Sequence, residues 1–222
     1  MSANTSDTHA ARNSRSTVLS LAIGTTVLRG RYELVGQGEP AAGDANLWRG
    51  IDGDGVHHLV KTWSYDGDEP DRVRRALWDA ELRTLYKVGS TPGAGESLVV
   101  LKDAGVDRDA QCFVMVLEAP GHANIATALT ERHRHPWLAS RDARGRRDIW
   151  IAIERVASGL ALLHEQQVLH RDVGAESLVF DDGGGPDSVR LGGFEWSVRL
   201  GAARQAAGRR PADRLALASR TQ

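Results

Sequence analysis

Only three of the twenty-eight basic residues are lysines: Lys61, Lys87 and Lys102. The arginine excess reads as composition bias rather than chemistry, and it makes each lysine worth examining. Lys61 stands in the apolar run His58-Leu59-Val60-Lys61-Thr62-Trp63, and Glu81 lies on the helical stretch that follows. Taken singly, these are a strand-edge lysine and a solvated helix glutamate. Gly36-Gln37-Gly38 follows a strand-like run, a place where missing side chains let backbone amides approach a phosphate, although Gly-x-Gly alone is a weak signal. His170-Arg171-Asp172 supplies an aspartate able to accept a proton, and such tripeptides are common by chance. The pairs His57-His58, His133-x-His135 and His164 with His170 lack metal-ligand spacing. The Asp181 to Asp187 turn lacks the ligand periodicity of a calcium loop. Six arginines between 131 and 147 read as a solvated surface loop before they read as a dock for phosphate or an acidic partner.

These residues need elements to hold them. Tyr32 to Val35 reads as a strand leading into the glycines and then a Pro/Ala/Gly stretch to Gly43. Leu47 to Ile51 and His58 to Trp63 flank Asp52-Gly53-Asp54-Gly55, a strong hairpin-turn signal. Acidic residues 66 to 71 with Pro70 suit a helix N-terminus, and Val73, Leu77, Ala80 and Leu85 mark its apolar face. Residues 89 to 96 read as a loop. A second hairpin follows, from Leu98 to Leu101 and Cys112 to Leu117 around a polar turn at Asp107 to Asp109. Residues 131 to 147 read as a turn-rich insertion. Ile149, Ile153, Val156, Leu160 and Leu163, spaced 4, 3, 4, 3, then predict the clearest helix in the chain. Ser177 to Phe180 and Ser188 to Leu191 predict two short strands around the Asp181 to Pro186 turn.

Composition narrows the classes. The chain has 222 residues, 41% apolar and 26% charged, with net charge −1. A pI near 6.7 argues against a dedicated nucleic-acid binder. A single cysteine, Cys112, excludes a disulfide framework and suits a reducing cytosol, so the expected location is cytoplasmic. The best early apolar stretch, Val18 to Leu28, is too short and too interrupted to span a bilayer.

The order of these parts is more informative than any one of them. Strand, glycine loop, lysine strand, glutamate helix, hairpin, long helix and His-Arg-Asp together resemble a protein kinase, with the bacterial Ser/Thr type closest. Gly24 to Tyr32 is similar to the entry of such a domain, and Leu162-Leu163-His164 with Val168 to Asp172 to the run into its catalytic loop. The resemblance implies an α+β, bilobal fold with a complete β-rich N-lobe, one key helix and a partial, mainly α C-lobe. Its divisions are a polar leader at 1–23, the N-lobe at 24–120 with a hinge near 118–120, and the partial C-lobe at 121–200. The last holds a catalytic loop at 168–178 and a metal-segment remnant at 192–195. An Arg/Ala-rich tail fills 201–222. It also implies Asp172, Lys61 and Glu81 as inherited catalytic positions, with Gly36, Gly38, Lys61 and Glu118 toward the nucleotide. ATP and Mg2+ are its implied cofactors. His170, Phe194, Leu85 and Leu98 are expected to stack as a hydrophobic column.

The departures from the family are as specific as the likeness. Five residues after Asp172, the metal-binding asparagine is replaced by Ser177, and the aspartate of Asp-Phe-Gly is replaced by Gly193 in Gly193-Phe194-Glu195. Serine is a weak neutral ligand for magnesium, and glycine offers no side chain. Glu195 and Glu176 are the available substitute carboxylates. Gly174 replaces the lysine that steadies the transferring phosphate, Pro120 removes a hinge N–H, and Leu59 narrows the adenine slot. These changes weigh against ATP, against Mg2+ and against catalysis. The expected function is a pseudokinase-like regulatory or protein-interaction module. The alternatives are a Ser/Thr kinase with atypical metal handling and a nucleotide-binding switch without turnover. By the same resemblance the large lobe is short, so a protein partner, the rest of a longer chain, or self-association through that lobe is expected; nucleic acid and membrane are not.

Overall fold

The computed structural model describes residues 21–36, 39–41, 45–65, 71–118, 121, 123–181 and 183–200. Residues 1–20 of the leader, Gly38, Pro120 and the 201–222 tail therefore lie outside the described residues. The chain is α+β. β1 (Thr26–Val27), β2 (Tyr32–Leu34), β3 (Glu39–Ala41), β4 (Ala45–Asp52) and β5 (His57–Ser64) precede α1 (Asp71–Gly89). Then come α2 (Ala94–Ser97), β6 (Val100–Asp107) and β7 (Cys112–Glu118). These strands make one antiparallel sheet in the order β1-β2-β4-β5-β7-β6, with β3 paired to β4.

The sheet curls because its two edges meet. Leu28, just after β1, donates its N–H to Asp107 Oδ2 at the end of β6 (2.6 Å), and Gly105 leaves room for the Leu28 side chain. Asp107 Oδ1 also accepts from the N–H groups of Asp109 and Ala110, which builds the predicted turn between β6 and β7. Strand periodicity then sorts side chains to two faces. Val60, Cys112, Val114 and Val116 pack inside the curl with Val27, Tyr32 and Leu34. Leu59, Trp63, Phe113, Met115 and Leu117 face the other way, into the main core with Trp78, Leu85 and Val88 of α1. Both faces of β5 and β7 are thus buried, which explains their nearly continuous apolar runs.

Beyond the sheet lie β8 (Ala123–Asn124), α3 (Ile125–Thr130), a 3-10 turn at Arg132–Arg134, α4 (Pro136–Ala139) and α5 (Ala143–Glu165). They are followed by β9 (Val168–Leu169), β10 (Leu178–Phe180), β11 (Arg190–Leu191) and β12 (Val198–Arg199). β10 pairs with both β11 and β8, and β12 with β9, all antiparallel. Asp142 caps α5 by accepting from the Gly145 N–H (2.8 Å). The same loop approaches so closely that a Cβ on Gly145 would lie 2.3 Å from the Ser140 carbonyl oxygen.

Four local expectations are corrected. The 131–147 segment is largely helical, because α4 starts with Pro136 at its first turn and α5 is capped by Asp142. Residues 39–41 form a strand rather than a loop, since β4 offers them an unpaired edge. Residues 94–97 form a short helix, so Leu98 is its C-cap residue and lies before the hairpin, bridging in parallel to Leu191. The inward face of α1 is Trp78, Glu81, Thr84, Leu85 and Val88, whereas Val73 is exposed. Two polar residues occupy that face, so an apolar count alone misplaces it.

Candidate functional site

Lys61 reaches the site by strand register. It alternates with Leu59 and Trp63 on the α1 side of β5, opposite Met115 of β7. Glu81 is one helical turn past Trp78, whose indole N–H donates to the Val114 carbonyl (3.1 Å) and seats α1 on the sheet. The result is a buried pair: Lys61 Nζ donates to Glu81 Oε2 at 2.9 Å and Oε1 at 3.2 Å. Their side chains are 2% and 3% exposed. Burial pushes the Glu81 carboxyl up to about 7; the Lys61 ammonium opposes that rise and the Glu195 carboxylate adds to it.

The pair forms the back of a cleft of about 380 Å³. Leu59, Leu117 and Val179 supply apolar walls, and Asp172, Glu176, Ser177, Gly193 and Glu195 line the opposite side. The loop bearing Asp172 is fixed through His170, which is buried. His170 Nε2 donates to the Gly192 carbonyl (2.7 Å) while Nδ1 accepts from the Asp172 N–H (3.3 Å), an arrangement that requires the Nε2–H tautomer. Arg171 takes a left-handed φ of 72° between them. The His170 ring packs on Phe194 with centroids 5.3 Å apart, and Phe194, Leu85 and Leu98 all lie in the main core.

Sequence reasoning placed Lys61, Glu81, Asp172, Ser177 and Gly193, and all five line this one cleft. Gly36 does not: it is buried at the end of β2, where a Cβ would sit 2.8 Å from Arg49 Nε. Glu118 is exposed at the end of β7 and Leu117, not Glu118, faces the cleft. Glu195 is the residue whose role the sequence did not reveal. Its carboxylate Oε1 also accepts from Lys61 Nζ. The two residues are 134 positions apart, so only the fold brings them together.

The positions that would hold magnesium do not fit that ion. Ser177 Oγ donates to the Gly174 carbonyl (2.9 Å) and accepts from the Gly174 N–H (3.0 Å), closing its own loop. Gly193 has φ 72° and no side chain, and a Cβ there would stand 3.1 Å from Ser177 Cβ. Magnesium demands near-octahedral oxygen donors and is usually fixed by one or two carboxylates. Among the described residues, no group of three or more His, Cys, Asp or Glu is placed to hold a metal ion. Nor, among the described residues, is any helix long and apolar enough to cross a membrane. Burial raises the Cys112 thiol to about 12, which makes it a poor nucleophile. No protein-family model and no curated protein matches this chain.

Proposed function

We propose that this chain is a protein kinase-like domain that does not transfer phosphate and works instead as a regulatory or protein-interaction module. In this reading the curled sheet with α1 is the small lobe, and the elements from β8 onward are part of a large lobe. The observation that carries it is the composition of the cleft. A buried lysine–glutamate pair and Asp172 share one cavity, while the two positions where a working enzyme needs metal ligands offer an engaged hydroxyl and a bare glycine. Phosphoryl transfer depends on positioning and on neutralising charge, and metal ions supply much of the latter. Removing a single preorganised electrostatic contact costs on the order of 3 kcal/mol of transition-state stabilisation. The partner in this reading is another protein or a second copy.

The rival reading, a Ser/Thr kinase with unusual metal handling, is favoured by one feature. Glu176 lines the cleft beside Asp172 and is a carboxylate that Lys61 does not engage. A thermal-shift titration with ATP, with and without Mg2+ or Mn2+, separates the readings. Binding at 100 times the dissociation constant would add about 2.7 kcal/mol to stability. The expected result for the wild-type chain is no shift at millimolar ATP and no transfer of radiolabel to protein. Metal-dependent transfer that is abolished by Asp172→Ala would establish the rival.

A further inference from the structure

We propose that Glu195 is an internal ligand of the cleft, a carboxylate that occupies the anion-binding face of Lys61 and closes it to phosphate. This deepens the kinase-like reading and rests on it for the nucleotide, though not for the anion. An ammonium has three N–H donors. Here both Glu81 oxygens lie on one side of Nζ and share a donor, Glu195 Oε1 takes another, and the Trp63 ring lies 5.0 Å from Nζ. An incoming phosphate oxygen therefore meets an ammonium already neutralised by two carboxylates. To take the donor on the cleft side it must displace a carboxylate, and the two are not equally replaceable. Glu81 is 3% exposed behind Lys61, whereas the Glu195 side chain is 15% exposed on the cleft side.

Glu195 is held there by its own segment. The Gly192 N–H donates to the Ser177 carbonyl (2.7 Å), and the Gly192 carbonyl accepts from His170. Phe194 is buried against the His170 ring, and Ser197 Oγ donates to the Phe194 carbonyl (2.7 Å) beside Thr84. The bare glycine at 193 is part of the same arrangement. A Cβ at that position would lie 3.4 Å from Glu195 Oε2, already in contact with the folded-back carboxylate, and any longer side chain would compete for its space. The bare glycine at 193, with its φ of 72°, and the carboxylate at 195 thus belong to one arrangement. Charge acts in the same direction. The described lining holds Glu81, Asp172, Glu176 and Glu195 against Lys61, so a polyphosphate meets an acidic cavity until one carboxylate is neutralised.

The experiment titrates the full chain at pH 8, without metal, with sodium tripolyphosphate and separately with ATP, read by calorimetry and thermal shift. Glu195→Gln, which keeps the shape and removes the charge, is expected to bind tripolyphosphate on the order of tenfold or more tighter than wild type. Glu195→Gly, with no side chain, must show the same gain and serves if the isosteric variant fails to fold. Adding Lys61→Met to either must cancel it. Wild type binding as tightly as both variants, or a gain that survives Lys61→Met, overturns the assignment. A gain with tripolyphosphate but none with ATP upholds the role of Glu195 and counts against the kinase-like reading. Phosphate transfer by wild type, by contrast, would sink both.

Discussion

At the scale of single residues, the cleft concentrates its energetic cost in Glu81. Two carboxylates share one ammonium in a nearly dry site, and the surplus negative charge is expensive to bury. The carboxyl therefore keeps its proton to about pH 7 when folded, against an ordinary value of 4.5. Between those values the folded state binds more protons than the unfolded state, so this residue's contribution makes stability fall as pH rises. It is most favourable below about pH 4.5, declines through 7 and is flat above. Glu81→Gln removes the titration, and the amide oxygen can still accept from Lys61. Urea unfolding at pH 5 and pH 8 should show the wild type losing on the order of 2–3 kcal/mol more than the variant over that interval. Equal losses would show that Glu81 does not carry the surplus charge. Lys61 and Glu81 were legible in the sequence through the order of elements that carry them, a lysine strand followed by a glutamate helix, and not from either residue alone. Glu195 was visible as the residue in place of a glycine and as a substitute carboxylate, but not as a partner of Lys61. Its contact with Lys61 depends on how the segment after β11 turns at Gly193.

At the scale of elements, the close junction between α2 and α5 has a counter-intuitive consequence. Gly159 lies buried in the middle of α5, and a Cβ there would stand 2.8 Å from Leu98 Cδ2 and 3.0 Å from the Ser97 carbonyl oxygen. Helix propensity alone favours alanine over glycine by about 1 kcal/mol. Overpacking costs about 1–3 kcal/mol, and neither the backbone carbonyl nor the fully buried Leu98 can retreat. Gly159→Ala should therefore lower stability by roughly 1 kcal/mol or more, while Ser158→Ala, on the exposed side of the same turn, leaves it unchanged or raises it. A stabilised Gly159→Ala in denaturant unfolding would contradict the close packing. Elements with strong periods were legible: the first hairpin and the long helix stand where their patterns put them, and the second hairpin forms with its first strand shifted to Val100–Asp107. The short strands β10 and β11 were legible too, but two other short pieces were not. β3 exists because β4 has a free edge, and α2 because it packs against α5. Neither cause is local to the sequence that responds to it.

At the scale of the whole molecule, the spacing that identified α5 overstated its burial. Leu163 is fully buried, yet Ile149 and Ile153 are 39% and 47% exposed and Trp150 is 68% exposed. The C-terminal half of the helix packs on the main core, while its N-terminal half lies against α3, α4 and the β10–β11 hairpin only along one side. Between them opens an apolar pocket of about 340 Å³ lined by Ile125, Trp137, Leu138, Ile153, Val156 and Leu178. Apolar surface concentrated in one concavity, rather than scattered singly, is where a hydrophobic probe partitions. The folded chain should therefore enhance the fluorescence of ANS in native buffer, with a saturable binding curve. Ile153→Glu places a charge on the pocket wall and should remove most of that enhancement. Because Ile153 is half exposed, the same substitution should alter unfolding free energy by no more than about 0.5 kcal/mol. Far-UV circular dichroism and denaturant curves distinguish loss of the pocket from loss of the fold. Dye binding that persists unchanged in a folded Ile153→Glu variant would place the accessible apolar surface elsewhere. Dye binding lost together with a large drop in stability would mean that α5 is packed on this side as well.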